Sequence, residues 1–209
     1  MHDMKRALAV VAVIALLPLL AACRQPPPNL DSPGRSIVCF GDSITAGVGA
    51  GPGRTYPDFL AARLRRSVVN AGVSGDTAAD GLARLSDVLA EDPWLVIVEL
   101  GGNDLLRQVP IEKTESDLRA IVERLLKARV LPVLVEVHGP FGGRHRDLYE
   151  RLGREYRTPI VEDVLSNILR DPALKSDEIH PNARGYEKLA AAVAETVEPL
   201  VAARRRVRP

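Results

Sequence analysis

Aromatic residues are scarce in this chain of 209: three Phe, four Tyr and one Trp, 4% in all. That is too few for the stacking platforms that hold single-stranded nucleic acid. Charge of one sign is missing as well, since 28 Lys and Arg face 27 Asp and Glu and leave +1. No basic field for nucleic acid and no acidic one for basic partners is expected. Two cysteines exclude a disulfide scaffold. Four histidines fall short of the ligand supply of a two-metal centre, so neither metal nor cofactor is expected. The uncharged run from Ala7 to Cys23 is shorter than the roughly 20 apolar residues that a membrane-spanning helix needs. What is present is ordinary for a globular protein: 46% hydrophobic and 26% charged residues, in a length that suits one domain.

The chain is uneven along its length. Lys5 and Arg6 precede the apolar run Ala7 to Leu20, which has the layout of a secretory signal. The residues that follow, Leu20-Ala21-Ala22-Cys23, resemble the lipobox of bacterial lipoproteins. That resemblance implies cleavage after Ala22, so that residues 1–22 are a signal peptide, and acylation of Cys23, whose lipid chains would anchor the protein to a membrane. Arg24 in place of an aspartate implies the outer membrane, facing the periplasm, in a Gram-negative cell. With Cys23 acylated, Cys39 has no partner and reads as a buried strand residue in Ser36-Ile37-Val38-Cys39-Phe40. Residues 23–35 carry Pro26, Pro27, Pro28 and Pro33 and read as an extended tether. Residues 204–209, with four arginines, read as a basic tail, which leaves 36–203 as the folded domain.

Within that domain apolar runs alternate with helical patterns. Strands are expected at Ser36–Phe40, Ser67–Asn70, Trp94–Glu99, Leu131–Glu136 and Pro159–Val161. Apolar residues at three- and four-residue spacing predict helices over Tyr56–Arg66, Thr77–Glu91, Thr114–Arg129, Arg144–Arg157 and Ala183–Ala202. Nearly all-apolar strands alternating with helices point to an α/β fold, a parallel sheet covered on both faces. Ligands in such sheets bind at the carboxyl ends of the strands. Gly41-Asp42-Ser43, Ala71 to Asp76 and Gly101-Gly102-Asn103-Asp104 follow the first three strands, so small and polar residues gather on one edge.

Ser43 needs a base to become a nucleophile. Past the signal segment the chain offers His138, His145 and His180. His180 stands three residues after Asp177, close enough for the carboxylate to fold back onto the imidazole and fix its tautomer. The backbone N–H groups of Ser43 and Gly75 and the side-chain amide of Asn103 are the candidate donors for a developing oxyanion.

Gly41-Asp42-Ser43, Ser74-Gly75-Asp76-Thr77, Gly102-Asn103-Asp104 and Asp177-x-x-His180 resemble, in order and spacing, the four blocks of the GDSL or SGNH hydrolases. The likeness covers about Ser36 to Leu200 and is greatest to the small bacterial arylesterase, thioesterase and lysophospholipase branch. It implies a three-layer α/β/α sandwich around a five-stranded, mainly parallel sheet of flavodoxin-like type. It also implies Ser43 as nucleophile, Asp177 and His180 completing a triad, and Ser43, Gly75 and Asn103 lining the oxyanion hole. The substrate would be a small-molecule ester or thioester and the enzyme a monomer.

The remaining polar residues have plainer readings. Asp42, Asp76 and Asp104 suit turn anchors or caps. Glu99 and Glu136 suit buried, hydrogen-bonded carboxylates, His138 a loop or pocket-mouth residue, and His145 an exposed helix start. Leu105 and Leu106, with Pro140 and Phe141 in the segment after the fourth strand, are candidates for contact with an acyl chain. The glycine run Gly47 to Gly53 fits neither phosphate-binding glycine pattern and reads as a mobile loop. Two other functions compete: a non-catalytic lipoprotein that binds acylated ligands, and a metal-dependent phosphoesterase.

Overall fold

The computed structural model describes residues 26–138 and 143–207. Its centre is a sheet of five strands: β1 (Ser36–Gly41), β2 (Val68–Gly72), β3 (Pro93–Glu99), β4 (Leu131–Val135) and β5 (Ile160–Val161). The strand order is β2-β1-β3-β4-β5 and every pairing is parallel. All seven residues of β3 are buried, as a central strand covered on both faces requires.

Nine helices among the described residues complete the layers: α1 (Ser43–Ala46), α2 (Tyr56–Leu64), α3 (Ala78–Ala83), α4 (Leu85–Ala90), α5 (Gly102–Leu106), α6 (Ile111–Lys127), α7 (Arg144–Tyr156), α8 (Val164–Arg170) and α9 (Ala183–Val207). On one face α9 packs against α2 and α8, and on the other α6 packs against α3 and α7. α6 shows why: Leu118, Ile121, Val122 and Leu125 form one buried stripe. Thr55 and Thr77 start α2 and α3 through reciprocal bonds with Asp58 and Asp80.

Three expectations change. The helix expected over Thr77–Glu91 is two, α3 and α4, joined at Arg84. The Arg84 side chain turns inward there to donate to the Gly41 carbonyl at 3.0 Å and to Asp76 at 2.6 Å. The segment read as an extended tether is packed on the domain from Asn29 onward. Asn29 donates to the carbonyls of Leu126 and Val130, and Ser32 is 1% exposed. Residues 204–207 continue α9 rather than form a tail. Arg204 lies over the Trp94 ring at 4.6 Å and donates to the carbonyls of Ser32 and Gly34, so the two ends of the domain hold one another. Among the described residues no helix is long and apolar enough to cross a membrane. Cys23 lies outside them. Cys39 sits in β1 with its thiol pushed up to about 12 by burial.

Candidate active site

β1 ends at Gly41, where a side chain has no room: a Cβ there would lie 2.1 Å from Thr45 Oγ1 and 2.4 Å from the Glu99 carbonyl. The chain then turns through Asp42, whose carboxylate accepts the Ile44 N–H at 3.0 Å and caps α1. Ser43 is thereby the first helical residue, half-buried at the carboxyl edge of the sheet.

The histidine arrives from the far end of the chain. Lys175 and Pro181 form an antiparallel bridge, and Asn182 donates to the carbonyls of Ala173 and Lys175 while capping α9 through the N–H groups of Arg184 and Gly185. This pins residues 173–182 as a tight loop against the sheet edge. His180 Nε2 lies 3.0 Å from Ser43 Oγ, and His180 Nδ1 lies 2.8 Å from Asp177 Oδ2. A carboxylate only accepts, so Nδ1 carries the proton toward Asp177 and Nε2 is left to accept from Ser43. Asp177 Oδ1 also accepts the N–H groups of Ile179 and His180, both at 2.9 Å. The imidazole bond, followed by that of Ile179, holds the Asp177 carboxyl below its ordinary range.

The three expected oxyanion donors come from the ends of β1, β2 and β3. Gly75 adopts φ +90°, a left-handed turn that a side chain would strain. The N–H groups of Ser43 and Gly75 have no acceptor among the described residues. Asn103 differs: its Nδ2 already donates to Asp42 Oδ2 and to the Asp76 carbonyl, both at 2.9 Å. An oxyanion would therefore share an N–H that the protein already uses. Asp76 and Asp104 are anchors, as expected. Asp76 pairs with Arg84, and Asp104 accepts the Ala78 N–H at the start of α3 and the Thr114 hydroxyl.

Behind the nucleophile lie two buried carboxyls. Burial pushes Asp42 up to about 6 from 3.8, and it pushes Glu99 well above the carboxylate range, with the Asp42 charge adding to the effect. Glu99 Oε2 accepts from Thr45 at 2.8 Å, but Oε1 has no partner among the described residues, so the expected satisfied carboxylate is only half satisfied. A raised carboxyl pKa favours the folded state fully below the unfolded value and loses that contribution as pH rises through the folded one. The Asp42 contribution to stability is therefore expected to fall as pH climbs from about 4 through about 6. Asp42→Asn, which cannot ionise, should remove the Asp42 share of the pH dependence of the melting temperature across this range and leave the share of Glu99, and a variant with the wild-type pH dependence would assign it to Glu99 and not to Asp42.

Beside Ser43 opens a pocket of about 310 Å³ whose apolar wall includes Ile44, Leu105, Leu106, Val137, Leu169 and Ile179. Leu105 and Leu106 thus stand where the sequence reading puts them, while Pro140 and Phe141 lie outside the described residues. His138 also lines this pocket, 3.2 Å from Asp163. With Glu136 and Asp163 it forms a three-ligand cluster whose donor atoms lie within 4.8 Å of one another, which sequence spacing did not reveal. Arg146 binds both carboxylates, so the charge that would attract a metal is met by a guanidinium. Glu136 is also half satisfied, with Oε1 lacking a hydrogen bond among the described residues. His145, expected exposed, is half-buried with Nε2 turned inward, and burial lowers its pKa. The first half of the glycine run is anchored, with Ala50 buried and the Tyr186 hydroxyl donating to the Val48 carbonyl at 2.8 Å, while residues 51–53 stand exposed.

Residues 39–188 match the model of the GDSL-like Lipase/Acylhydrolase family. The chain is 34% identical over 176 residues to thioesterase 1/protease 1/lysophospholipase L1 of Escherichia coli strain K12, covering 79% of this chain and 85% of that protein. Among solved structures, TesA superposes with a TM-score of 0.74 at 31% identity, covering 79% of this chain and 99% of that one. AlinE4, a SGNH-hydrolase family esterase, is 38% identical with a TM-score of 0.64, covering 79% and 96%.

Proposed function

Because the chain belongs to the GDSL-like lipase/acylhydrolase family and is a serine ester hydrolase, we propose that Ser43, His180 and Asp177 are its catalytic triad. The observation that carries this is the unbroken line of hydrogen bonds from Ser43 Oγ through both imidazole nitrogens to Asp177, at the mouth of an apolar pocket. Ser43 Oγ attacks the acyl carbonyl while His180 Nε2 takes the hydroxyl proton. The N–H groups of Ser43 and Gly75, joined by the Asn103 amide, stabilise the tetrahedral oxyanion. His180 then gives the proton to the leaving alcohol or thiol, and an acyl-enzyme remains on Ser43. Water, deprotonated by His180, attacks that ester, and the second tetrahedral species collapses to acid and free serine.

The substrates proposed are acyl esters and thioesters, taken by a monomer. Thioesters and lysophospholipids enter through the names of the relative in E. coli, and aryl esters through the sequence resemblance. Ligand pockets span roughly 300–1,000 Å³, so a volume of about 310 Å³ favours short to medium acyl chains. A kinetic series from acetyl to palmitoyl, on p-nitrophenyl esters and on thioesters, is expected to peak at short or medium length and to fall at palmitoyl. A flat response would contradict a pocket that measures the chain.

The amino-terminal pattern supports a further part of the proposal. Residues 1–22 are removed and Cys23 is acylated, which anchors the enzyme in the cell envelope, at the outer membrane facing the periplasm in a Gram-negative cell. The mass of the amino-terminal peptide reads this directly.

A further inference from the structure

Ser43 occupies the carboxyl edge of the sheet, and the opposite edge has a character of its own. A depression of about 350 Å³ there is lined by Arg35, Arg66, Arg204 and Arg205 around Trp94, with no carboxylate among its described lining residues. Asp92 pairs with Arg35 at the rim, Glu91 stands exposed beside it in the adjoining hollow, and Arg206 stands exposed in the last turn of α9. Carbonyl ends of helices attract cations, which explains part of this for α9, but Arg35 precedes a strand. A chain whose total charge is +1 has thus placed several cations on one edge.

The amino-terminal segment leaves the domain at the same edge. Pro33 and Gly34 form one wall of the depression, and Asn29 is bonded to the end of α6 and the residue before β4. Cys23 is six residues from Asn29, a reach of at most about 20 Å. Ser43 lies beyond the full length of β1, whose six residues rise about 3.3 Å each.

We propose that this arginine-lined edge lies on an anionic phospholipid surface, so that Ser43 opens toward water on the side of the domain away from the membrane. The orientation rests on the acylation of Cys23 proposed above, and the surface itself does not. Its consequence is a substrate class: esters and thioesters dispersed in the aqueous compartment, rather than lipids of the anchoring bilayer. Each cation near such a surface contributes about a fivefold gain in partitioning, and salt screens it.

Trp94, the single tryptophan, is a built-in probe of the edge. The acylated chain is inserted into vesicles of phosphatidylcholine, with or without phosphatidylglycerol, that carry dansyl-labelled headgroups. Energy transfer from Trp94 is expected to be higher on the anionic vesicles and to fall to the neutral level in the Arg66→Glu/Arg205→Glu/Arg206→Glu variant. Turnover of a soluble ester, unchanged in that variant, reports its folding. A phosphonate coupled to a bead is expected to label Ser43 as fast in vesicles as in detergent. Equal transfer on both vesicles, transfer unmoved by the variant, or protection from the bead overturns the proposal. If the amino-terminal peptide carries no lipid, the anchor reading fails and the surface is judged on the unacylated chain. Sedimentation with anionic vesicles alone, weakened at least roughly 100-fold in the triple variant, supports the surface, and sedimentation indifferent to charge overturns it.

Discussion

Ser43→Ala is expected to lower kcat by about 10⁶ while the protein stays folded, the size of loss seen when a serine hydrolase is deprived of its nucleophile. The fold should tolerate the change because α1 is capped by Asp42 and not by Ser43. The serine hydroxyl has one hydrogen-bond partner among the described residues, His180 Nε2, and no neighbour is orphaned in the interior when it goes. Residual hydrolysis would come from the Ser43 and Gly75 N–H groups, which alanine at position 43 leaves in place. Steady-state kinetics beside a thermal melt separate loss of chemistry from loss of fold. Turnover close to wild type in a folded variant would mean that the nucleophile is elsewhere.

Asp177→Asn is expected to cost about 10⁴ in kcat, for a reason that lies in which oxygen does what. Oδ1 is held by the N–H groups of Ile179 and His180, so an asparagine keeps its carbonyl oxygen there and turns its NH2 to the Oδ2 position. That position is the nearer of the two to His180 Nδ1, at 2.8 Å against 3.0 Å for Oδ1. An N–H at this nearer position favours the opposite tautomer, with a proton on Nε2 pointing at Ser43, and in that tautomer the base cannot accept. Asp177 is exposed, so the change should leave stability nearly intact. A loss in kcat below tenfold would show that the tautomer is fixed by something other than this carboxylate.

The two variants probe the part of the site that the sequence displays openly. Strand-end position marks Ser43, and the three-residue spacing of Asp177 and His180 is local, so both can be read without knowing what packs against what. The parallel sheet was legible for the same reason, since β1, β3 and β4 are short apolar runs between helical periods. Long-range partners were not legible. Nothing local in Thr77–Glu91 marks the break at Arg84, because its cause is a carbonyl at Gly41, 43 residues away. The Asn103 amide looks free in sequence and is engaged by Asp42 and Asp76 in the fold. Proline content suggests an extended tether, yet Arg204, from the other end of the chain, draws residues 32–34 onto the domain. Residues 204–207 look like a solvated tail for the same reason: the Trp94 ring that Arg204 covers is 110 positions earlier in the chain.

The most direct measurement is the mass of the protein after reaction with a serine-directed phosphonate. One adduct per chain is expected, located by peptide mapping on Ser43, formed in step with the loss of esterase activity and absent from Ser43→Ala. Continued ester hydrolysis with no adduct, or an adduct on a different residue that tracks the lost activity, would contradict Ser43 as the nucleophile.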